Sequence, residues 1–174
     1  MSTPFHRVYF SDEVDARVER LPFTRLKIRI GLRLNYYASD LVLLRAYYRF
    51  YWDDWGVKGH TMSIEAPIKL NRFFSVYPFY RFHTQSQANY FKPFGEHTTQ
   101  VQYYTSDYDL AQLSSHQFGM GVRYSPAEGI GAFRLPGKNN RLLVLKELNL
   151  KYGHYTRTPG LASKIFSFGM NFTF

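Results

Sequence analysis

Large apolar residues alternate with small or polar ones up to the last residue of the chain. Phe166, Phe168, Met170, Phe172 and Phe174 are separated by Ser167, Gly169, Asn171 and Thr173. Successive side chains leave a strand on opposite sides, so a period of two marks a β-strand with one apolar face. A helix would scatter the same residues around its circumference. The pattern recurs upstream. Over residues 25–36 one face carries Leu26, Ile28, Ile30, Leu32, Leu34 and Tyr36, and the other Arg25, Lys27, Arg29, Gly31, Arg33 and Asn35. Comparable alternation predicts strands over residues 42–52, 61–70, 74–85, 116–124 and 144–155, with a short one at 5–10. No helical period of any length competes with it. The chain reads as all-β, with about seven or eight antiparallel strands in up-and-down order.

Alternation alone does not separate a soluble sandwich from a transmembrane β-barrel. With 174 residues the chain fits one domain, 1–174. Its longest aliphatic runs are only four residues, as at Leu41–Leu44, while a bilayer-spanning helix needs about 20 apolar residues. Helical membrane architecture is excluded, and a barrel is not, because alternation hides its hydrophobicity from averaged scales. Expected strand lengths match the ~9–11 residues of a tilted membrane-crossing strand. The polar faces carry bulky Arg and Tyr rather than the small mixed set of a sandwich exterior. Tyr36, Trp52, Tyr80, Tyr124 and Tyr152 fall near strand ends, where interfacial aromatic girdles form. The terminal Phe-rich strand resembles the last strand of bacterial outer-membrane barrels, which barrel-assembly machinery reads. With Phe174 on the periplasmic side, short turns at 38–40 and 71–73 become periplasmic, and 53–60, 86–115 and 156–162 become outer loops. One connection, 125–142, breaks that asymmetry as a long periplasmic turn. The N-terminus has no apolar h-region, which fits a mature chain or the C-terminal portion of a longer barrel. The implied location is the bacterial outer membrane, among lipid and lipopolysaccharide.

The charge sits on one side of these strands. The chain has 22 Lys+Arg against 13 Asp+Glu, a formal charge of +9. A three-residue turn at 38–40 would set Arg33 opposite Arg45 and Arg29 opposite Arg49, with Gly31 under Tyr47. Like charges directly opposite destabilise a sheet, so this arginine ladder asks for a reason. Lys27, Arg81, Arg123 and Lys151 share its parity, and only Glu65 and Glu147 oppose the series. A cationic lumen of this kind favours small anionic solutes, as rings of Arg and Lys do in anion-selective pores; where acidic residues of a plug or of further strands neutralise the wall, the ladder is structural instead. A closed eight-stranded barrel would bury the excess without compensation, which again implies a larger barrel. The expected function is a passive, porin-like pore. The alternative is a barrel without transport, serving as anchor, assembly partner or surface-interaction module through residues 86–115.

Other chemistries find less support. There is no Cys, which removes thiol nucleophiles and Cys-type zinc sites. His60, His116 and His154 share the lipid-facing parity near strand ends, while His83 faces inward, so they do not converge on a metal. Asp53-Asp54 and Asp107/Asp109 lack the spacing of a calcium loop and read as loop acids. Ser114-Ser115-His116 has no nucleophile elbow, so no enzyme, cofactor or metal is expected. The basic residues alternate with apolar faces instead of forming one stripe, which argues against nucleic acid. Pro67 and Pro78 fall inside strands and would face each other across one hairpin, implying a local bulge.

Several segments carry a resemblance. Residues 4–10 (Pro-Phe-His-Arg-Val-Tyr-Phe), 77–85 (Tyr-Pro-Phe-Tyr-Arg-Phe-His-Thr-Gln) with Asn89-Tyr90-Phe91, and Ser106-Asp107-Tyr108-Asp109-Leu110 resemble the C-terminal part of an uncharacterised Gram-negative outer-membrane β-barrel family, a domain of unknown function. The resemblance implies a barrel fold, a longer parent with a signal peptide, and no catalytic residues to carry over.

Overall fold

The structure, a computed structural model, describes residues 7–134 and 142–173. It contains β1 (Arg7–Val8), β2 (Arg17–Val18), β3 (Lys27–Tyr37), β4 (Leu43–Asp53), β5 (Lys58–Glu65), β6 (Ile68–Lys69), β7 (Phe74–Gln85), β8 (Leu113–Tyr124), β9 (Gly131–Arg134), β10 (Leu142–Arg157) and β11 (Leu161–Thr173). One 3-10 turn, Tyr108–Leu110, is the sole helical element among the described residues. Among the described residues no helix is long and apolar enough to cross a membrane, which says nothing about crossing by strands. Strands β3 to β11 form a nine-stranded antiparallel sheet whose main path runs β11-β10-β8-β7-β5-β4-β3, with β6 on β7 and β9 on β10. The chain is therefore all-β and up-and-down, with seven long strands on the path and with β3 and β11 at its edges.

The short turns are built by side chains that mimic backbone. Ser39 Oγ accepts from the amides of Leu41 and Val42 at 3.3 and 3.2 Å. Asn71 Oδ1 accepts from Phe73 and Phe74 at 2.8 and 2.9 Å. Such local acceptors let the chain reverse without stranding amide donors. The expected strand over 61–70 is divided. Pro67 lies in the break between β5 and β6, and its carbonyl accepts from Leu43 while Ala66 donates to Pro78. Pro78, by contrast, remains inside β7.

The burial pattern is inverted relative to a water-soluble sheet. Along β5, Lys58, His60, Met62 and Ile64 are open, while Gly59, Thr61, Ser63 and Glu65 are covered or half-covered. Along β8, Phe118, Met120 and Val122 are open, while Gln117, Gly119, Gly121 and Arg123 are the covered set. β11 continues the series, with Phe166 73% and Phe168 63% exposed, and Met170 and Phe172 exposed beside them. Cross-strand pairing aligns these residues with β10: Tyr152 with Phe166, Leu150 with Phe168 and Leu148 with Met170.

Three connections differ from the sequence reading. The segment 125–142 contains β9, which pairs with Leu142–Leu145 of β10, so part of the supposed turn is sheet. The outer loop at 156–162 shrinks, because β10 and β11 pair up to Arg157 and Leu161. The short N-terminal strand does not lead the main sheet; β1 pairs with β2. A bulge between Leu145 and Glu147 adds Lys146 as an extra residue against β11. Bulges re-aim side chains, and here the lysine Nζ donates to the Ala127 carbonyl at 3.0 Å.

The described residues fall into two compact units, one of residues up to 32 with 48–61 and 83–114, the other of 33–47, 62–82 and 115 onward. Several strands contribute residues to both. In the first, Val57, Ala88, Phe91 and Ala111 form one buried cluster, and Val8, Phe10 and Tyr104 another. Residues 86–112 are thus a folded segment. Bridges between Phe10 and His97, and between Arg20 and Tyr104, join it to the N-terminal residues. Asp12 reinforces that junction by accepting from the Thr99 amide and, at 2.8 Å, from its hydroxyl. In the second unit large polar-face rings lie over bare backbone: a Cβ at Gly121 would stand 2.0 Å from the Tyr77 ring, and one at Gly119 would stand 2.9 Å from Phe79. The Tyr77 hydroxyl donates to Asn149.

Two outcomes follow from these contacts. Gly121→Val should destabilise the refolded protein by about 1–3 kcal/mol in equilibrium denaturation, because Tyr77 is buried and must move. Gly169→Val, whose Cβ meets nothing nearer than 3.8 Å, should stay within about 0.5 kcal/mol. The second outcome concerns pH. The Thr99 amide and hydroxyl hold the Asp12 carboxyl below its ordinary value. A depressed carboxyl stabilises the fold above its unfolded pKa and loses that effect as pH falls through its folded pKa. Amide-exchange protection at Thr99 should therefore decline below about pH 4, and Asp12→Asn should remove most of that dependence.

Candidate functional site

The first unit holds a cleft of about 760 Å³, within the usual ~300–1,000 Å³ of ligand sites. Its frame is set by Asp53, the last residue of β4. That side chain is fully buried and accepts five hydrogen bonds. Arg25 donates to Oδ2 through Nε, at 3.0 Å, and through Nη2. The Tyr51 hydroxyl donates to the same oxygen at 2.7 Å. The amides of Trp55 and Val57 donate to Oδ1 at 3.1 and 3.0 Å. Gly56 completes the turn at φ +90°, where its missing Cβ also leaves room for Asn89. The Arg25 guanidinium lies 4.3 Å over the Trp55 ring, and the indole N–H donates to the Thr24 carbonyl. A buried carboxylate so saturated serves as a structural centre. It is not a loop acid waiting for a cation.

Lys27, Arg29 and Arg49 line the cleft from β3 and β4. Arg29 lies 5.8 Å over Tyr51. Arg49 reaches Thr61 at 3.4 Å, and its Nε is buried without a hydrogen-bond partner among the described residues. Thr61 also meets His83 Nδ1 at 2.9 Å. Gln85 ties the strand end to the folded segment by donating to the carbonyls of Asp109 and Ala111.

The second unit carries the remaining polar-face cations beside a smaller cleft of about 530 Å³, lined by Arg33, Arg45, Tyr47 and Glu65 among others. Arg33 lies 5.7 Å over Tyr47, and Arg45 pairs with Glu65 at 3.1 Å. The guanidinium-on-guanidinium facing read from a three-residue turn is therefore replaced by ring and carboxylate partners. Arg123 pairs with Glu147 at 3.4 Å and lies over Tyr77. Lys151 stands 3.8 Å over Phe79, and Arg81 is exposed. Cation–π contact of this kind relieves crowding of like charge without consuming it.

Among the aromatics named as interfacial, Tyr36, Tyr80 and Tyr152 are exposed, while Trp52 and Tyr124 are half-buried. Tyr80 bonds His116 Nδ1 at 2.8 Å, as Tyr48 bonds His60 at 2.7 Å, and His154 packs on Phe118. Phe166, Phe168, Met170 and Phe172 share one face of β11, a strand exposed on both faces; Phe174 lies outside the described residues. Sequence reasoning missed the Asp53 centre and the Arg25–Trp55 stack. Its signal was local: an acid followed three residues later by a glycine, Asp53-Asp54-Trp55-Gly56, is turn chemistry.

Residues 2–132 match a family model described as "Protein of unknown function (DUF3570)". The chain belongs to that family. The matched stretch includes the whole DUF3570 cleft described above, whereas β10 and β11 lie beyond it. No curated protein and no solved structure matches the chain.

The Asp53 centre makes a direct prediction. Asp53→Ala should cost about 3 kcal/mol or more, since it leaves Arg25 without its carboxylate and the turn amides without an acceptor. Denaturation followed by tryptophan fluorescence should show both the loss and a changed Trp55 environment.

Proposed function

We propose that this DUF3570 chain is a membrane-embedded portion of a bacterial outer-membrane β-barrel, acting as a passive passage whose basic inner wall favours small anions. The observation that carries the reading is the inverted burial over residues 61–65 of β5 and 117–123 of β8, where apolar side chains are open and the polar or small ones between them covered or half-covered. Contiguous exposed apolar surface of this extent is a liability in water, and lipid is the solvent that suits it. The exposed apolar row of β11 extends the same surface and gives assembly machinery a recognisable apolar strand. Outer-membrane lipid and lipopolysaccharide are the corresponding partners. Strand edges left open in lipid strand their amides and carbonyls, so the reading requires further strands beyond β3 and β11.

The basic lining supports the preference for anions. Arg33, Arg29 and Arg49 keep their charge while resting on rings or hydroxyls, and such charge attracts anions at low salt. A non-transporting surface-interaction barrel is the second reading, favoured by the buried cluster that makes 86–112 a folded segment.

Two measurements test these statements. Unheated protein in detergent gels should migrate differently from boiled protein, a behaviour a soluble sandwich does not share. In planar bilayers the full-length protein should conduct with anion preference, and Arg33→Glu plus Arg45→Glu should lower that preference severalfold. Conductance with unchanged selectivity would remove the cationic-wall mechanism. No conductance at all would favour the surface-interaction reading.

A further inference from the structure

The cleft of the first unit contains more recognition chemistry than a passive lining requires. One side presents Lys27, Arg29 and Arg49. Ion pairs among the described residues involve Arg17, Arg25, Arg45 and Arg123, and none of these three cations. Arg29 lies 5.8 Å over the Tyr51 ring, and Arg49 has a buried Nε without a hydrogen-bond partner among the described residues. A partly buried guanidinium such as Arg49, already bonded to Thr61, loses little freedom on gripping an oxyanion, and both arginines offer forked donors to it. A cluster of three positive charges suits the dianion of a phosphate monoester better than a single carboxylate.

The folded segment supplies a different chemistry. Asp107 and Asp109 line the same cleft, and Asp107 caps the 3-10 turn by accepting from the Asp109 amide at 2.9 Å. Carboxylates accept and do not donate, so they complement hydroxyl hydrogens and repel a second phosphate. Gln85 and His83 add fixed polar atoms beside them. Phe23 also lines the cleft and is 100% exposed. An uncovered ring beside such a polar surface gives the C–H face of a sugar a place to rest.

From these juxtaposed groups we propose that the cleft is a saturable binding site for a phosphorylated sugar, with phosphate on Arg29, Arg49 and Lys27, and hydroxyls toward Asp107 and Asp109. The phosphate need not be free; a phosphorylated saccharide headgroup of an envelope lipid presents the same chemistry. The inference stands on the first unit alone and holds whether or not the chain conducts.

Isothermal titration of the full chain in detergent tests it, with glucose 6-phosphate as probe and with glucose and inorganic phosphate as comparisons. Glucose 6-phosphate should saturate one site, with an affinity at least about tenfold above either comparison, because two sets of contacts are engaged at once. Arg29→Gln plus Arg49→Gln should weaken it by about tenfold or more. Arg72→Gln, on the turn between β6 and β7, should leave it unchanged. Circular dichroism and heat-modifiable migration identify variants that have not folded, and Phe23→Ala, which removes only an exposed ring, gives an independent severalfold loss. Competition by lipid A in mixed micelles assigns the bound group to a lipid headgroup, and lack of competition assigns it to a free solute; both support the site. The proposal is overturned by the absence of saturation at about 10 mM probe, by phosphate alone binding as tightly, or by folded arginine variants that bind like the parent. Conduction without saturable binding would leave the passage and remove the site; binding without conduction would do the reverse.

Discussion

The organisation of this sheet depends on an inversion in its inner strands: over much of β5 and β8 the open face is apolar and the covered face polar, while the edge strands β3 and β11 are exposed on both faces. In water the hydrophobic effect drives the opposite arrangement. Once β5 and β8 are set this way, much else follows locally. Polar-face side chains must find partners within the sheet, and they do so strand by strand. Arg45 finds Glu65, Arg123 finds Glu147, and Tyr77 finds Asn149. Large rings fill the remaining space by lying over glycines, as Tyr77 does at Gly121 and Phe79 at Gly119. The ordinary core is correspondingly small, confined in the main to the two clusters of the first unit.

Charge is managed by stacking more than by pairing. Arg25, Arg29, Arg33, Arg123 and Lys151 each stand over an aromatic ring. A ring attracts a cation through its quadrupole yet leaves the net charge intact. A wall built this way stays positive while remaining ordered. Arg25 is both stacked and paired, because Asp53 is a buried acid whose acceptors are taken by one guanidinium, one phenol and two amides. Asp53 fixes the β4–β5 turn and, through Arg25, the start of β3.

The strands were legible in the sequence because their signal is local and repeated. Alternation located β3, β4, β7, β8, β10 and β11 to within a few residues, and β7 without error at either end. Features set by register or by distant contacts were not legible. The facing of Arg33 with Arg45 assumed a loop length, and the observed Arg33–Tyr47 contact differs because turn geometry decides register. The Lys146 bulge defeats strict parity for the same reason: one inserted residue reverses every face beyond it. β9 escaped notice because four residues carry too little periodicity to stand out. The partnership of Asp12 with Thr99 spans 87 positions and leaves no trace in local pattern. For the cleft, the cations on β3 and β4 were visible as a row, but the acids and Phe23 reach it only through the fold of segments that carry no period.

The direction of the two outermost strands has a geometric consequence. Seven long antiparallel strands make an odd set, so β3 and β11 point the same way along the sheet. Two copies laid in the same orientation, β3 of one against β11 of the other, would therefore meet in a parallel seam, with slanted bonds unlike those of every other junction. A single strand inserted between the edges, or any odd number, would instead meet both in the antiparallel sense and continue the existing weave.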